Sequence, residues 1–273
     1  MTFEWLKGHG TENDFVLLPD HDGSVHGSEL DPRFVASVCD RRRGIGADGI
    51  IRVIRSTALG RQSAGEWFMD YYNADGSLSE MCGNGVRVLA RHLCDAGLVP
   101  ADEPIVIGTR DGDKTVTCDG DDFVVDMGTP TLGETSKVAV DGRAWEAQDV
   151  RTGNPHAVAF VETLADAGTL LDEPEYDRVV YPDGVNIEFV VRKGPRHVAM
   201  RVHERGSGET RSCGTGACAV GVATALSDGA AKPVTYRVDV PGGTVHVTWT
   251  ADDRLLLAGP AEIVARGQME WLA

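Results

Sequence analysis

Met81-Cys82-Gly83-Asn84-Gly85-Val86-Arg87 and Ser212-Cys213-Gly214-Thr215-Gly216-Ala217-Cys218 set a cysteine before a glycine-flanked turn twice in one chain. Each turn leads into an apolar run with helical spacing, Gly85 to Ala96 in the first copy and Gly216 to Leu226 in the second. Such a turn directs free backbone N–H groups outward at the positive end of a helix dipole, where a thiolate or a bound anion is stabilised. The glycines remove Cβ atoms that would keep a ligand away from the main chain. Two copies allow one fold to present two sulfurs to opposite sides of the same small carboxylate, which is the layout of a two-base racemase or epimerase.

Outward from the cysteines, further segments fall into register. Gly10-Thr11-Glu12-Asn13-Asp14-Phe15 corresponds to Thr152-Gly153-Asn154-Pro155-His156-Ala157-Val158, each with an Asn in a turn. Arg43-Gly44-Ile45-Gly46-Ala47-Asp48-Gly49-Ile50-Ile51 corresponds to Tyr181-Pro182-Asp183-Gly184-Val185-Asn186-Ile187-Glu188-Phe189, each a polar glycine turn running into a β-rich stretch. Asn73 lies nine residues before Cys82, and Glu204 nine before Cys213. The pattern reads as an internal duplication with a pseudo-two-fold relation and a site between the halves. Strands are expected at Ile50 to Arg55, Val116 to Cys118, Phe123 to Met127, Val198 to Val202, Val234 to Val240 and Arg254 to Leu257.

A chain of 273 residues suffices for two halves of about 130, each with a core of its own. The formal net charge of −16 argues against nucleic acid or an anionic membrane as partner, because the field of the whole protein repels polyanions. None of the six cysteines is paired in Cys-x-x-Cys spacing, so a metal site is poorly supported. Cys39, Cys94, Cys118 and Cys218 read as small buried hydrophobes. Met1 to Lys7 has no signal-peptide character, and no apolar run is long enough to span a bilayer. Reduced cysteines in the cytoplasm are the expectation.

Taken in order, the Gly-Thr-Glu-Asn-Asp-Phe opening, Gly44-Ile45-Gly46-Ala47-Asp48-Gly49, Asn73-Ala74-Asp75-Gly76-Ser77, both cysteine turns, Gly153-Asn154-Pro155-His156 and Glu204-Arg205-Gly206 resemble the diaminopimelate epimerase family over essentially the whole chain. The resemblance implies an α/β fold of two similar halves, each a strongly curved mixed sheet wrapped around a central helix. It divides the chain into 1–129 plus 262–273, which carries Cys82, and 130–261, which carries Cys213. It also implies cofactor-independent interconversion of LL- and meso-2,6-diaminopimelate on the route to lysine, with this small molecule as the partner. Pseudo-symmetry within one chain removes the need for a homodimer to build the site and leaves one open.

Removing an α-proton without a cofactor leaves charge that the protein must stabilise on the substrate carboxylate. The N–H groups of Gly83, Asn84, Gly214 and Thr215 are placed to do so before the reaction begins. One of Cys82 and Cys213 must be a thiolate and the other a thiol, roughly 6 to 7 Å apart across the α-carbon, and they titrate as a pair. Helix N-termini lower a thiol pKa from about 8.5 to roughly 3.5 to 7.5, and that lowering is expected here. The resemblance places His156 and Glu204 beside the cysteines, with Glu204 toward the substrate ammonium. It gives Asn13, Asn73, Asn154, Asn186 and Arg205 the non-reacting amino-acid end, where the planar fork of Arg205 suits a carboxylate. Some members have Gln where this chain has Gly49, so no side-chain role is carried to that position.

Other readings remain open from the residues alone. The nearest rival is another member of the same fold, a proline or hydroxyproline racemase, a single-amino-acid racemase or a phenazine-type isomerase. Proline racemases share the cysteine turns, although the Asn set and Glu204-Arg205 are not expected in them. A thiol-redox or metal-binding protein lacks support from cysteine spacing, and a non-catalytic binding module would need no thiol.

Overall fold

The computed structural model of the chain describes residues 2–271. Backbone packing divides it into two compact units, one reaching to Val125 and resuming at Pro260, the other Asp126–Gly259.

The first unit holds β1 (Thr2–Gly10), β2 (Asn13–Pro19), α1 (Pro32–Cys39), β3 (Gly49–Arg55), β4 (Trp67–Asn73), α2 (Gly83–Asp95), β5 (Ile105–Thr109), β6 (Gly112–Asp119) and the start of β7 (Asp122–Gly128). The second holds β8 (Thr131–Val140), β9 (Arg143–Arg151), β10 (Pro155–Phe160), β11 (Glu175–Tyr176), β12 (Asn186–Gly194), β13 (His197–Glu204), β14 (Gly208–Glu209), α3 (Gly214–Ser227), β15 (Val234–Val240), β16 (Gly243–Trp249) and β17 (Leu255–Pro260). The last strand, β18 (Glu262–Glu270), returns to the first unit.

The first ladder starts at β18 and runs antiparallel through β1 to β2, parallel to β3, antiparallel to β4, parallel to β5, then antiparallel through β6 to β7. The second runs antiparallel from β8 through β9 to β10, parallel to β12, antiparallel to β13, parallel to β15, then antiparallel through β16 to β17. Order and direction repeat strand for strand, so the duplication read from the cysteine turns is a duplication of topology.

Parallel neighbours cannot be joined by a hairpin, and in both units the crossover that carries the cysteine is a helix. α2 bridges β4 and β5 and packs on β1, β2, β3, β6 and β18; α3 bridges β13 and β15 and packs on β9, β10, β12, β13, β15 and β16. The sequence of α3, Gly-Thr-Gly-Ala-Cys-Ala-Val-Gly-Val-Ala-Thr-Ala-Leu-Ser, is apolar nearly all round, as expected of a helix enclosed by its sheet. Its small residues permit close approach. A Cβ on Gly221 would come within 2.7 Å of Val247 on β16.

Both helices begin two residues earlier than the apolar pattern indicates, directly after the cysteines. Cys82 and Cys213 are therefore N-cap residues with extended backbones, φ −142° and −119° respectively. The free N–H groups of each first turn belong to the residues that follow the sulfur.

Candidate active site

In the first unit Cys82 is half-buried, and its carbonyl accepts the Val86 N–H at 2.9 Å to start α2. Its Sγ donates to Asn13 Oδ1 at 3.5 Å, and Asn84 Nδ2 donates to the same oxygen at 3.1 Å. Asn13 comes from the β1–β2 turn, where Thr11 and Glu12 take left-handed φ of 50° and 63°. Residues other than glycine rarely adopt this region, and a β-branched one such as Thr11 least of all, so the turn is held from outside. The clamp is visible: Asn13 Nδ2 donates to Asp48 Oδ2 at 2.8 Å, and Arg41 bridges Asp14 and Asp48 at 2.7 Å to each. Lys7 adds a second cation on Asp14 at 2.9 Å. Asn73 sits opposite Gly49 at the end of β4, and its Nδ2 donates to Ser77 Oγ at 3.0 Å. It shares the Gly49 end of β3 with Asp48 rather than touching Cys82 through any of these bonds. A Cβ on Gly49 would lie 2.5 Å from the Tyr72 carbonyl and 2.6 Å from the Tyr71 ring, which accounts for the absence of a longer side chain there.

In the second unit Cys213 is 5% exposed and its Sγ accepts the Gly216 N–H at 3.3 Å, with Thr215 Oγ1 at 3.4 Å. Thr152 Oγ1 donates to the Thr215 carbonyl at 3.1 Å, tying the Thr152-Gly153-Asn154 turn to the start of α3. His156 follows on β10 with no exposed surface; its Nε2 meets Asn154 Oδ1 at 2.8 Å and its Nδ1 meets Glu188 Oε1 at 2.7 Å. Asn186 Oδ1 accepts the Arg205 N–H at 2.9 Å and its Nδ2 donates to the Pro155 carbonyl at 3.3 Å. Arg205 is exposed and its Nη1 donates to the Asp183 carbonyl at 2.9 Å. Glu204, at the end of β13, accepts the Thr210 hydroxyl.

Two expectations are corrected. Cys213 does not have the lowered pKa expected of a helix N-terminus: burial pushes its thiol well up, and the Glu204 and Glu188 carboxylates add to this, outweighing the Thr215 and Gly216 hydrogen bonds. Cys94 and Cys118 are not fully buried hydrophobes either. They are half-buried with their sulfurs 3.8 Å apart, whereas Cys39 and Cys218 are buried as expected.

Glu188 is the residue the sequence reading passed over. Alternation marks it as the outward member of Ile187-Glu188-Phe189, but β12 is buried on both faces from Asn186 to Val191. The signal was a lone carboxylate in an apolar run two residues after Asn186, and its diagonal partner on β10 was legible only from the register His156 to Asn186.

A sequence profile of the diaminopimelate epimerase family matches residues 5–133 and 149–264. The chain belongs to the diaminopimelate epimerase family. It is 53% identical to a diaminopimelate epimerase of Streptomyces coelicolor, covering 98% of this chain and 96% of that protein. It is 45% identical to one from Mycolicibacterium smegmatis, covering 97% and 96%. Among solved structures it superposes on a hydroxyproline epimerase from Agrobacterium vitis with TM-score 0.70 at 16% identity, covering 98% and 92%. A PhzF-family phenazine biosynthesis protein of Bacillus anthracis gives TM-score 0.71 at 15% identity, covering 99% and 100%. At those identities the likeness is one of fold. Among the described residues no helix is long and apolar enough to cross a membrane.

Proposed function

We propose that this chain interconverts LL- and meso-2,6-diaminopimelate in the cytoplasm, with Cys82 and Cys213 as its acid and base. The observation that carries the reading is the matched placement of the two sulfurs: each caps the N-terminus of the helix that crosses between the same pair of parallel strands, in a chain of this family. In either direction one sulfur, as thiolate, takes the α-proton, and the other, as thiol, delivers its proton to the opposite face. The sulfurs exchange protonation states and the net proton count is unchanged. The N–H groups of Gly83 and Asn84 and those of Gly214 and Thr215 hold the carboxylate on which charge develops, as preorganised donors of the kind whose single removal costs about 2.7–4 kcal/mol.

His156 orders the Cys213 side through Asn154 and Glu188, and Glu204 faces the ammonium. Asn13, Asn73, Asn154, Asn186 and Arg205 receive the distal amino-acid group, whose two charges distinguish this substrate from proline. Incubation in deuterium oxide with LL-diaminopimelate, L-proline and L-histidine tests the assignment. Deuterium enters the α-position of diaminopimelate alone, and Cys82→Ser and Cys213→Ser each abolish epimerisation. Unimpaired epimerisation by either single variant overturns the two-thiol reading.

A further inference from the structure

Glu188 lies at the junction of two groups that the sequence treats separately. Its Oε1 is 2.7 Å from His156 Nδ1, both side chains have no exposed surface, and Oε2 finds no hydrogen-bond partner among the described residues. The same Oε1 is 2.6 Å from the point where a Cβ on Gly216 would stand, and Cys213 Sγ is 3.2 Å from that point. The first turn of α3 therefore separates the carboxylate from the sulfur by no more than a missing methyl group. A buried, half-satisfied carboxylate is costly unless it is neutralised. His156 supplies the neutralisation. Asn154 Oδ1 is an acceptor only, so Nε2 carries a hydrogen, and the contact between Nδ1 and Oε1 then holds one further proton, on the nitrogen or on the oxygen.

We propose that Glu188 is a positioning residue for Cys213: with His156 it forms a buried dyad holding one proton against the back of the Cys213 turn, and so sets the balance between thiol and thiolate at that sulfur. Cys213 is faced by Glu188 from β12, by Glu204 from β13, and by the Thr215 hydroxyl and Gly216 N–H from its own helix. Glu188 is in turn faced by His156 from β10 and by Tyr181, which also feels Asp149 and Arg151 of β9. Within this set Glu188 is the carboxylate whose charge is matched by a buried imidazole. Glu204 accepts from the Thr210 hydroxyl. At the first thiol an amide oxygen, that of Asn13, accepts from Cys82 Sγ.

The inference rests on the reading of Cys213 as an acid–base thiol, and its test needs no substrate. The Cys213 contribution is the thiolate ultraviolet absorbance that Cys213→Ser removes, measured at an alkaline pH where the unsubstituted chain is partly ionised. In Glu188→Gln, an isostere without the charge, this contribution rises, by about threefold or more where ionisation is still slight. In His156→Gln, which leaves the carboxylate unmatched, it falls. Equal absorbance in both variants, or a change of the same sign in both, overturns the dyad; if Glu188→Gln does not fold, the absence of a fall in His156→Gln does so alone. In the deuterium experiment Glu188→Gln alters kcat in the direction where Cys213 removes the proton and leaves KM near its starting value. Failure of diaminopimelate to exchange at all would instead remove the epimerase reading and leave the absorbance result standing.

Discussion

Asn13 Oδ1 accepts from Cys82 Sγ at 3.5 Å and from Asn84 Nδ2 at 3.1 Å, so one amide oxygen from the β1–β2 turn holds both the sulfur and the second residue of α2. Accepting from the sulfur requires a proton there. The bond favours the thiol form of Cys82, while the Asn84 contact fixes the turn that presents the N–H groups.

Asn13→Ala therefore releases sulfur and turn together. A neutral hydrogen bond contributes about 0.5–1.5 kcal/mol, so the loss of two corresponds to a fall in kcat/KM of roughly tenfold or more. Steady-state epimerisation of the variant beside a thermal melt checks this. A fall in activity larger than the modest drop in melting temperature accounts for is expected, because Asn13 also bonds Asp48 but is half-buried at a turn rather than in the core.

Gly216→Ala brings a Cβ to 2.6 Å from Glu188 Oε1 and 3.2 Å from Cys213 Sγ. The carboxylate end is flexible in principle, but here it is fully buried and bonded to His156, so it cannot swing aside freely. Overpacking of this kind costs about 1–3 kcal/mol. Urea unfolding of the variant shows a lower midpoint, and epimerisation falls further than stability alone explains. The corresponding Gly85→Ala is milder in packing, since the nearest atom is the terminal methyl of Ile51 at 3.0 Å.

The helix after each cysteine was legible because glycine turns and an unbroken apolar run are local signals, and topology repeated because the duplication preserved them. The exact helix starts were not, since a Gly-Asn-Gly or Gly-Thr-Gly tripeptide has poor helix propensity and is made helical by enclosure in the sheet. Individual partners were less visible still. Asn13 and Cys82 are far apart in the chain, and so are Glu188 and His156; the first pair depends on where the β1–β2 turn meets the start of α2 and the second on strand register. The Cys94 and Cys118 contact was hidden for the same reason, as their spacing matches no short cysteine motif. The direction of the Cys213 shift followed from burial and two carboxylates that a helix-terminus argument does not include.

Asp14 is half-buried, which by itself would raise its carboxyl, but Arg41 and Lys7 prevail and hold it down from 3.8 to about 2. A carboxyl lowered on folding stabilises the folded chain above its ordinary range, and that contribution is lost as the pH falls from about 3.8 through about 2. The size is on the order of 2 kcal/mol. The urea midpoint is therefore expected to drop over this window, and Arg41→Met, which removes one of the two cations, makes the drop smaller while lowering stability near neutral pH. Because Asp14 belongs to the clamp around Asn13, the same variant also slows epimerisation at neutral pH.

Gly184 holds a φ of +86°, and a Cβ there would stand 2.7 Å from Arg205 Cδ. The glycine thus serves the backbone turn and the Arg205 stem at once. Gly184→Ala strains the turn by about 1 kcal/mol and pushes the guanidinium off the Asp183 carbonyl that it bonds at 2.9 Å. On the proposed role of Arg205 at the distal carboxylate, displacement weakens substrate and transition state alike. KM for diaminopimelate rises several-fold while kcat changes little, the pattern of lost uniform binding. Arg205→Lys gives the same KM effect without the loss of stability, because a single ammonium cannot reproduce two parallel bonds to a carboxylate. Steady-state kinetics of the two variants with LL-diaminopimelate separates the cases: a kcat collapse in Arg205→Lys with KM unchanged would place Arg205 outside distal recognition.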